Sequence, residues 1–242
     1  MLMNDIKIWI IIIISSAFQS IAGVGVLVLG TPLLLALNKD YIDILNTLIP
    51  CALTISISQL IFNFKYGIDY NFVKGLKYSV PILVFCLLIS INFGNFIFLV
   101  VGTILVMISR IKEKKYLNNK KSNRIYFILL GFLHGSANLG GAVLNKYATW
   151  KIQKIEQRIP TIALVYIILM VFQILALWIA NTWSFKLELN SFVLPIISLL
   201  TYLFLGKLLN VKNRKLSYSN NFFEYYSAFI GLMLILRYIV NL

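Results

Sequence analysis

Acidic residues are scarce in this chain, and their scarcity narrows the chemistry that it can perform. Only 8 of the 242 residues are Asp or Glu, and none of them lies centrally in an apolar run, Glu224 being close to the start of one. A carboxylate proton relay or a carboxylate cation site therefore has no candidate residues. This absence favours an anionic or neutral substrate.

Histidine and cysteine are also rare, which argues against metal and disulfide chemistry. The chain has one histidine, His134, and two cysteines, Cys51 and Cys86, all inside apolar runs and without the spacing of metal ligands. We therefore expect no zinc or other metal site, no cofactor and no disulfide framework. The two cysteines are interpreted as packing residues.

Long apolar runs dominate the sequence instead. Hydrophobic residues make up 60% of the chain and charged residues 12%, against roughly 25% charged residues in soluble domains. Most of the apolar runs approach the ~20 residues that a spanning helix needs. They are 8–37, 44–64, 72–91, 93–111, 125–144, 159–180, 191–209 and 222–240. This pattern predicts an all-α, multi-pass protein of the cell membrane, with the lipid bilayer as its partner.

The basic residues lie beside these runs. The formal net charge is +14, and four segments hold 18 of the 22 Lys and Arg residues. The segments are 65–77, 110–124, 146–158 and 207–215. Because the positive-inside rule accounts for basic residues that flank spanning helices, we expect all four on the cytoplasmic side and expect no nucleic-acid partner.

The chain resembles two copies of one unit. An offset of about 115 residues superposes two polar, glycine-containing stretches that interrupt apolar runs. The superposed pairs are Gln19 with His134, Gly23 with Asn138, Gly25 with Gly140 and, after a one-residue shift, Gln59 with Gln173. We place the boundary near Leu117, which gives a first membrane repeat over 1–117 and a second over 118–242.

The run 125–144 decides the predicted topology. It has basic residues at both ends but is too short for two full crossings at 1.5 Å per residue. A re-entrant hairpin that turns near 136–140 resolves this, and the same reading applies to 8–37. Each repeat then has one broken or re-entrant segment and three transmembrane helices, so the repeats are inverted. The alternative, parallel repeats with eight crossings, places eight basic residues of 146–158 and 207–215 outside.

The two glycine-rich helix breaks are the candidate site. A helix that begins after such a turn presents free N–H groups and a positive dipole end, which bind anions without a formal cation. The predicted substrate-binding residues are Gln19, Ser20, Gly23, Gly25, Gln59, His134, Asn138, Gly140, Gly141 and Gln173. The structural alternatives are close helix packing by the glycines, as the Gly131 and Gly135 spacing suggests, a buried structural histidine and interhelical bonds by the glutamines.

These motifs resemble the TauE/SafE sulfite exporter family, the toluene sulfonate uptake permease group. The resemblance lies in 19–25 with Pro32-Leu33-Leu34, and in 131–135 with 138–141, and it covers essentially the whole chain. It implies a secondary transporter of sulfite, sulfonates or related small organic anions, coupled to an ion gradient.

Other functions remain open at this point. A carrier of small carboxylates or another organic solute fits the same features, and a homo-oligomer is compatible with the sequence. An intramembrane serine protease would need Ser136 or Ser20 with His134, but 134 and 136 do not face each other on a helix. A membrane scaffold leaves the duplicated polar turns without a purpose. We therefore predict a permease and not an enzyme.

Overall fold

The computed structural model describes residues 2–23, 25–93, 96–109, 120–183, 189–208 and 220–240. Within these ranges the regular structure is helical, with eleven α-helices and one short 3-10 helix. The predicted all-α class is confirmed. The repeat boundary predicted near Leu117 lies outside the described residues, as do most of the basic linker and parts of the turns expected at 92–95 and 181–190.

The helices follow the apolar runs of the sequence closely. Their bounds are α1 Leu2–Ala22, α2 Val26–Ala36, α3 Tyr41–Asn63, α4 Tyr70–Val73, α5 Leu76–Phe93, α6 Phe96–Ser109, α7 Lys120–Ala137, α8 Gly140–Lys151, α9 Ile155–Ile179, α10 Leu189–Leu208 and α11 Asn220–Val240. The 3-10 helix Phe64–Tyr66 extends α3.

A glycine turn makes α1 and α2 a hairpin. Gly23 has a φ of +79°, a left-handed conformation that glycine adopts at no steric cost. Beyond the turn α2 returns along α1, so closely that a Cβ on Gly25 would lie 2.7 Å from the carbonyl oxygen of Ser15 and from the amide nitrogen of Gln19. A side chain at position 25 would therefore force the two helices apart.

An asparagine turn makes α7 and α8 a second hairpin. Asn138 has a φ of +63°, a conformation that asparagine tolerates better than most residues. A Cβ on Gly140 would lie 2.6 Å from the Cβ of His134 and 3.0 Å from the carbonyl oxygen of Leu130. The start of α8 is thus held against the last turns of α7.

The far ends of α7 and α8 also lie together. The Tyr147 hydroxyl donates a hydrogen bond of 2.6 Å to Oδ1 of Asn123, and the rings of Tyr147 and Tyr126 stack with their centroids 4.5 Å apart. These contacts explain why α8 continues to Lys151, beyond the end of the apolar run at Leu144. The helix is held there by aromatic packing.

The helices of the two halves of the chain are interleaved. α3 packs on α9 and α6 on α11, while α5 packs on α7 and α1 on α10. α10 also contacts α3, and α5 also contacts α9. In the contact of α1 with α10, the hydroxyl oxygens of Ser16 and Ser198 are 2.9 Å apart and share a hydrogen bond.

Residues of the basic segments meet at one end of this helical body. The backbone N–H of Asp69 donates to Oγ1 of Thr161 over 3.0 Å, and the ring centroids of Phe72 and Tyr147 are 5.4 Å apart. The guanidinium of Arg124 lies 5.4 Å from the centroid of the ring of Tyr78, which belongs to the first turn of α5.

Residues of the other helix ends meet separately. Nδ2 of Asn46 donates to the carbonyl oxygen of Thr182 over 3.1 Å, and the Arg237 guanidinium donates to Oδ1 of Asn38 over 3.3 Å. Asn46 lies near the N-terminus of α3 and Thr182 follows the C-terminus of α9, so this bond joins the start of α3 to the end of α9.

Two helices are long and apolar enough to cross a membrane by length and composition. They are the α3 segment Tyr41–Tyr66 and Ile155–Ile179. Shorter apolar helices accompany them, and large apolar side chains such as Phe85, Trp178 and Phe204 are exposed.

The apolar run 72–91 is interrupted, which the sequence pattern did not indicate. α4 ends at Val73 and α5 begins at Leu76. Oδ1 of Asp69 accepts a hydrogen bond of 3.0 Å from the N–H of Phe72 and caps α4. Gly75 follows, where a Cβ would overlap the ring of Phe127. The interruption allows Phe127 of α7 to pack directly against the backbone at Gly75.

Candidate anion-binding site

The second hairpin tip is a buried turn held by hydrogen bonds. The Asn138 N–H donates to the carbonyl oxygen of His134 over 3.1 Å, and the Leu139 N–H donates to that of Leu133 over 3.1 Å. These bonds close the last turn of α7 while the left-handed Asn138 redirects the chain. Asn138 and His134 are both fully buried.

A glutamine on α9 fixes this tip from the side. Nε2 of Gln173 donates to the backbone oxygen of His134 and to Oδ1 of Asn138, both over 3.2 Å. Nδ2 of Asn138 in turn donates to Oγ1 of Thr31 on α2 over 3.3 Å. The sequence-predicted Asn138 and Gln173 are therefore in direct contact, and Thr31 joins the second tip to the first hairpin.

Four buried polar atoms beside this tip have no hydrogen-bond partner among the described residues. They are the two ring nitrogens of His134, the hydroxyl of Tyr166 and Oε1 of Gln173. His134 and Gln173 are fully buried and Tyr166 is 6% exposed. The rings of His134 and Tyr166 meet edge to face, with centroids 5.7 Å apart. Buried polar groups are nearly always paired. With a neutral imidazole these four atoms are two donors and two acceptors, which can pair with a ligand, with water or with one another, as the side-chain contact between His134 and Gln173 indicates.

The N-terminus of α8 opens onto the same cluster. The Ala142 N–H donates to the carbonyl oxygen of Leu139 over 3.3 Å. The N–H groups of Gly140 and Gly141 have no intrahelical acceptor, and the side chain of Leu139 does not cap them. A Cβ on Gly140 would press on His134, and a Cβ on Gly141 would overlap the Tyr166 hydroxyl. The two glycines thus let unpartnered side chains approach the helix end closely.

The first hairpin tip has a similar backbone turn, but its side chains form different hydrogen bonds. The Gly23 N–H donates to the carbonyl oxygen of Gln19 over 2.9 Å, and Nε2 of Gln59 donates to the carbonyl oxygen of Gly23 over 3.5 Å. Oε1 of Gln19 accepts a hydrogen bond of 3.0 Å from the Val26 N–H. This bond caps the N-terminus of α2 from within the protein.

The sequence-predicted residues therefore form two groups. His134, Asn138, Gly140, Gly141 and Gln173 surround the second tip, whereas the remaining candidates belong to the first. The first-tip candidates are Gln19, Ser20, Gly23, Gly25 and Gln59. Ser20 donates to the carbonyl oxygen of Ala17 in its own helix over 2.7 Å.

Two residues of the site were missing from the predicted set. Tyr166 lies seven residues before Gln173 on α9, which is two helical turns and so the same face. A hydroxyl in that position within the run 159–180 is the signal that could have identified it. Thr31 lies where a small polar residue follows the first turn, yet its contact with Asn138 depends on how the hairpins meet.

Other polar and small residues near the site serve packing or local bonding. A Cβ on Gly131 would overlap the carbonyl oxygen of Ser79 in α5, and a Cβ on Gly135 would overlap that of Leu83. These two glycines therefore provide the close helix packing that their spacing indicates. The Ser136 hydroxyl donates to the carbonyl oxygen of Phe132 over 2.6 Å and not to the His134 ring.

A buried cation lies further along α8. Lys146 is 4% exposed, and its ammonium lies 5.2 Å from the centroid of the Trp150 ring. Six residues separate it from Gly140, or roughly 9 Å along the helix axis.

Within the described part of the chain, no group of three or more His, Cys, Asp or Glu side chains is arranged to hold a metal ion. Cys51 and Cys86 are both unbridged and buried. Comparison with known proteins gives no matching family model, no matching curated protein and no matching solved structure. The resemblance to the TauE/SafE family therefore stays a prediction from the motif residues.

Proposed function

We propose that this chain is a multi-pass carrier of small anions in the cell membrane. The observation that carries the proposal is the second tip, where a helix N-terminus, His134 and Tyr166 offer hydrogen-bond donors to one buried place. The substrate class is sulfite, sulfonates or related small anions, as the TauE/SafE resemblance implies.

The chemistry of the buried residues supports an anionic ligand. Among the described residues, those that are polar or charged and buried include Ser, Thr, Asn, Gln, His and one Lys but no Asp or Glu. A cation would meet no negative side chain there. An anion would meet donors and the positive end of the α8 dipole.

The packing pattern supports two inverted repeats, 1–117 and 118–242. Ser15 and Gln19 crowd Gly25 just as Leu130 and His134 crowd Gly140, at the offset of 115 residues. In this comparison α1, α3 and α5 of the first repeat correspond to α7, α9 and α10 of the second. The contact of α5 with α7 then corresponds to that of α10 with α1, and the contact of α5 with α9 corresponds to that of α10 with α3. Such correspondence is expected when one fold is used twice.

The grouping of helix ends supports the inverted orientation. One end of the helical body contains residues of three basic segments. They are Asp69, which bonds to Thr161, and Asn123 and Tyr147, which bond to each other. The positive-inside rule assigns such an end to the cytoplasm. Both ends of the α7–α8 hairpin belong to it. A single full crossing by 125–144 would instead separate Asn123 from Tyr147.

Flux in proteoliposomes tests the carrier. Purified protein reconstituted with a panel of radiolabelled sulfur anions and small carboxylates is expected to show saturable uptake of at least one anion. Asn138→Asp should abolish it, because a carboxylate beside the bound anion repels it; two like charges about 4 Å apart repel by about 4 kcal/mol at an effective dielectric constant near 20. Aspartate also tolerates the left-handed conformation.

Asn181→Asp is the matched control. Asn181 has a φ of +54° and is exposed at the end of α9, so the same change occurs in the same backbone conformation away from the tip. Uptake should survive in this variant. No uptake of any anion by the wild type overturns the carrier, and wild-type uptake by folded Asn138→Asp overturns the location of the site.

A further inference from the structure

We propose that Lys77, Tyr78 and Arg124 bind the phosphate headgroup of an anionic membrane lipid. The site lies where α5 and α7 begin, at the end of the helical body that the positive-inside rule assigns to the cytoplasm. It depends on the membrane placement proposed above and is independent of the solute that the second tip binds.

Two cations from different helices converge on one aromatic ring. The ammonium of Lys77 lies 5.1 Å from the centroid of the Tyr78 ring, and the guanidinium of Arg124 lies 5.4 Å from the same centroid. Each cation is attracted to the electron-rich ring, but the two positive charges repel each other. A bound anion would replace this repulsion by two attractions.

The described part of the chain supplies no anion for these two cations. Within it, neither Lys77 nor Arg124 forms an ion pair with an Asp or Glu side chain. The acid nearest to Lys77 along the chain is Asp69, whose Oδ1 accepts from the N–H of Phe72 and caps α4. Because Lys77 and Arg124 are both exposed, an anion from the surroundings can reach them.

Exposed apolar side chains continue from the two cations along both helices. Phe85 lies two helical turns after Tyr78 on the same face of α5, and its side chain is 65% exposed. Ile128 lies one turn after Arg124 on α7 and is 43% exposed. The two helices pack along each other, so the charges and this apolar surface are adjacent.

A lipid uses both of these features, whereas a soluble anion uses only one. The headgroup phosphate would meet the two cations, and the acyl chains would lie against Phe85 and Ile128 in the hydrocarbon layer. The cytoplasmic leaflet has the negative surface potential of anionic lipids. Charge and apolar surface together therefore favour an anionic lipid as the ligand.

Phosphatidylglycerol and phosphatidylcholine with identical acyl chains test the proposal. Native mass spectrometry of the purified protein in a neutral detergent gives the affinity for each lipid. Charge-assisted hydrogen bonds to the phosphate should favour phosphatidylglycerol, and losing one of them in Lys77→Gln or Arg124→Gln should weaken its binding roughly ten- to 150-fold. Phosphatidylglycerol should also raise the melting temperature of the wild type more than that of either variant.

Lys65→Gln is the matched control. The Lys65 ammonium lies 5.1 Å from the centroid of the Tyr66 ring, the same distance as that of Lys77 from the Tyr78 ring, but no second cation among the described residues lies over Tyr66. General attraction of a basic residue to an anionic surface is worth roughly fivefold. Lys65→Gln should therefore change the affinity no more than this. An equal loss in all three variants overturns the site and leaves only diffuse attraction.

Glycerol 3-phosphate distinguishes a lipid from a soluble phosphate. It has the phosphate of the headgroup but no acyl chain, so at the same concentration it should not displace phosphatidylglycerol. Displacement, or equal affinity of the wild type for the two lipids, overturns the lipid site without affecting the anion carrier. Selective lipid binding by a protein that transports no anion would instead support the lipid site and contradict the proposed function.

Discussion

The Gln19 side chain caps the helix that starts at Val26, with a distance of 3.0 Å from its Oε1 to the Val26 amide nitrogen. One hundred and fifteen residues later, His134 and Gly141 are the corresponding residues, and there both ring nitrogens of the histidine have no partner among the described residues. At the first tip the Gln19 side chain thus caps the helix that follows, whereas at the second tip the His134 ring makes no such bond.

His134→Gln is expected to close the second tip in the same way. A glutamine there can accept from the Gly141 N–H, which should add about 0.5–1.5 kcal/mol to the free energy of unfolding. Thermal unfolding in detergent should rise by a few degrees while anion affinity falls. A variant that unfolds earlier and binds as tightly as the wild type contradicts the comparison of the two tips.

Tyr166→Phe and Tyr147→Phe should separate binding from stability. The Tyr166 hydroxyl is buried without a partner, so its removal should cost no stability but weaken anion binding roughly five- to 150-fold. The Tyr147 hydroxyl donates to Asn123, so its removal should lower the free energy of unfolding by about 1 kcal/mol and leave affinity unchanged. Calorimetric titration and thermal unfolding measure the two effects. Identical behaviour of both variants argues against a ligand at Tyr166.

Labelling of single cysteines should report the orientation. In a background with Cys51 and Cys86 replaced by alanine, a cysteine at Lys151 should resist an impermeant thiol reagent added outside intact cells. A cysteine at Thr182 should react, because it lies at the opposite end of α9. Labelling at 151 together with protection at 182 reverses the proposed topology and favours parallel repeats.

Gly135→Ala should destabilise the fold, with Gly206→Ala as its control. A Cβ on Gly135 would lie 2.9 Å from Cα of Leu83 in α5, whereas nothing lies within 4 Å of one on Gly206. Overpacking at position 135 should cost about 1–3 kcal/mol, and alanine in the helix at position 206 should gain up to about 1 kcal/mol. The melting temperature measured by differential scanning fluorimetry should therefore fall for Gly135→Ala and rise for Gly206→Ala. A similar shift for both variants excludes close packing as the role of Gly135.

The helix breaks could be predicted from the sequence because they depend on local residues. Gly23 and Asn138 are residue types that tolerate a left-handed conformation, and each is embedded in a run too apolar for a surface loop. The choice of Gln173 as a candidate residue also came from the sequence, because the repeat offset relates it to Gln59; its hydrogen bond to Asn138 is a finding of the structure. Local chemistry and internal repetition were sufficient for these features.

The hydrogen-bond partner of each polar atom could not be predicted from the sequence in the same way. Whether Gln19 faces a ligand or caps Val26 depends on where α2 begins, to within one residue. Tyr166 belongs to an apolar helix whose buried face is determined by packing against other helices, and Lys146 is buried because aromatic residues extend α8. These outcomes follow from tertiary contacts between segments far apart in the chain.

The contact between Ser16 and Ser198 has a consequence for synthesis of the chain. The two serines are 182 residues apart, and α1 packs on α10. At about 5–20 residues per second, the ribosome needs roughly 10–40 s to make α10 after α1. Throughout that interval the face of α1 that will receive α10 has no partner. The first hairpin therefore completes its packing only late in the synthesis of the chain.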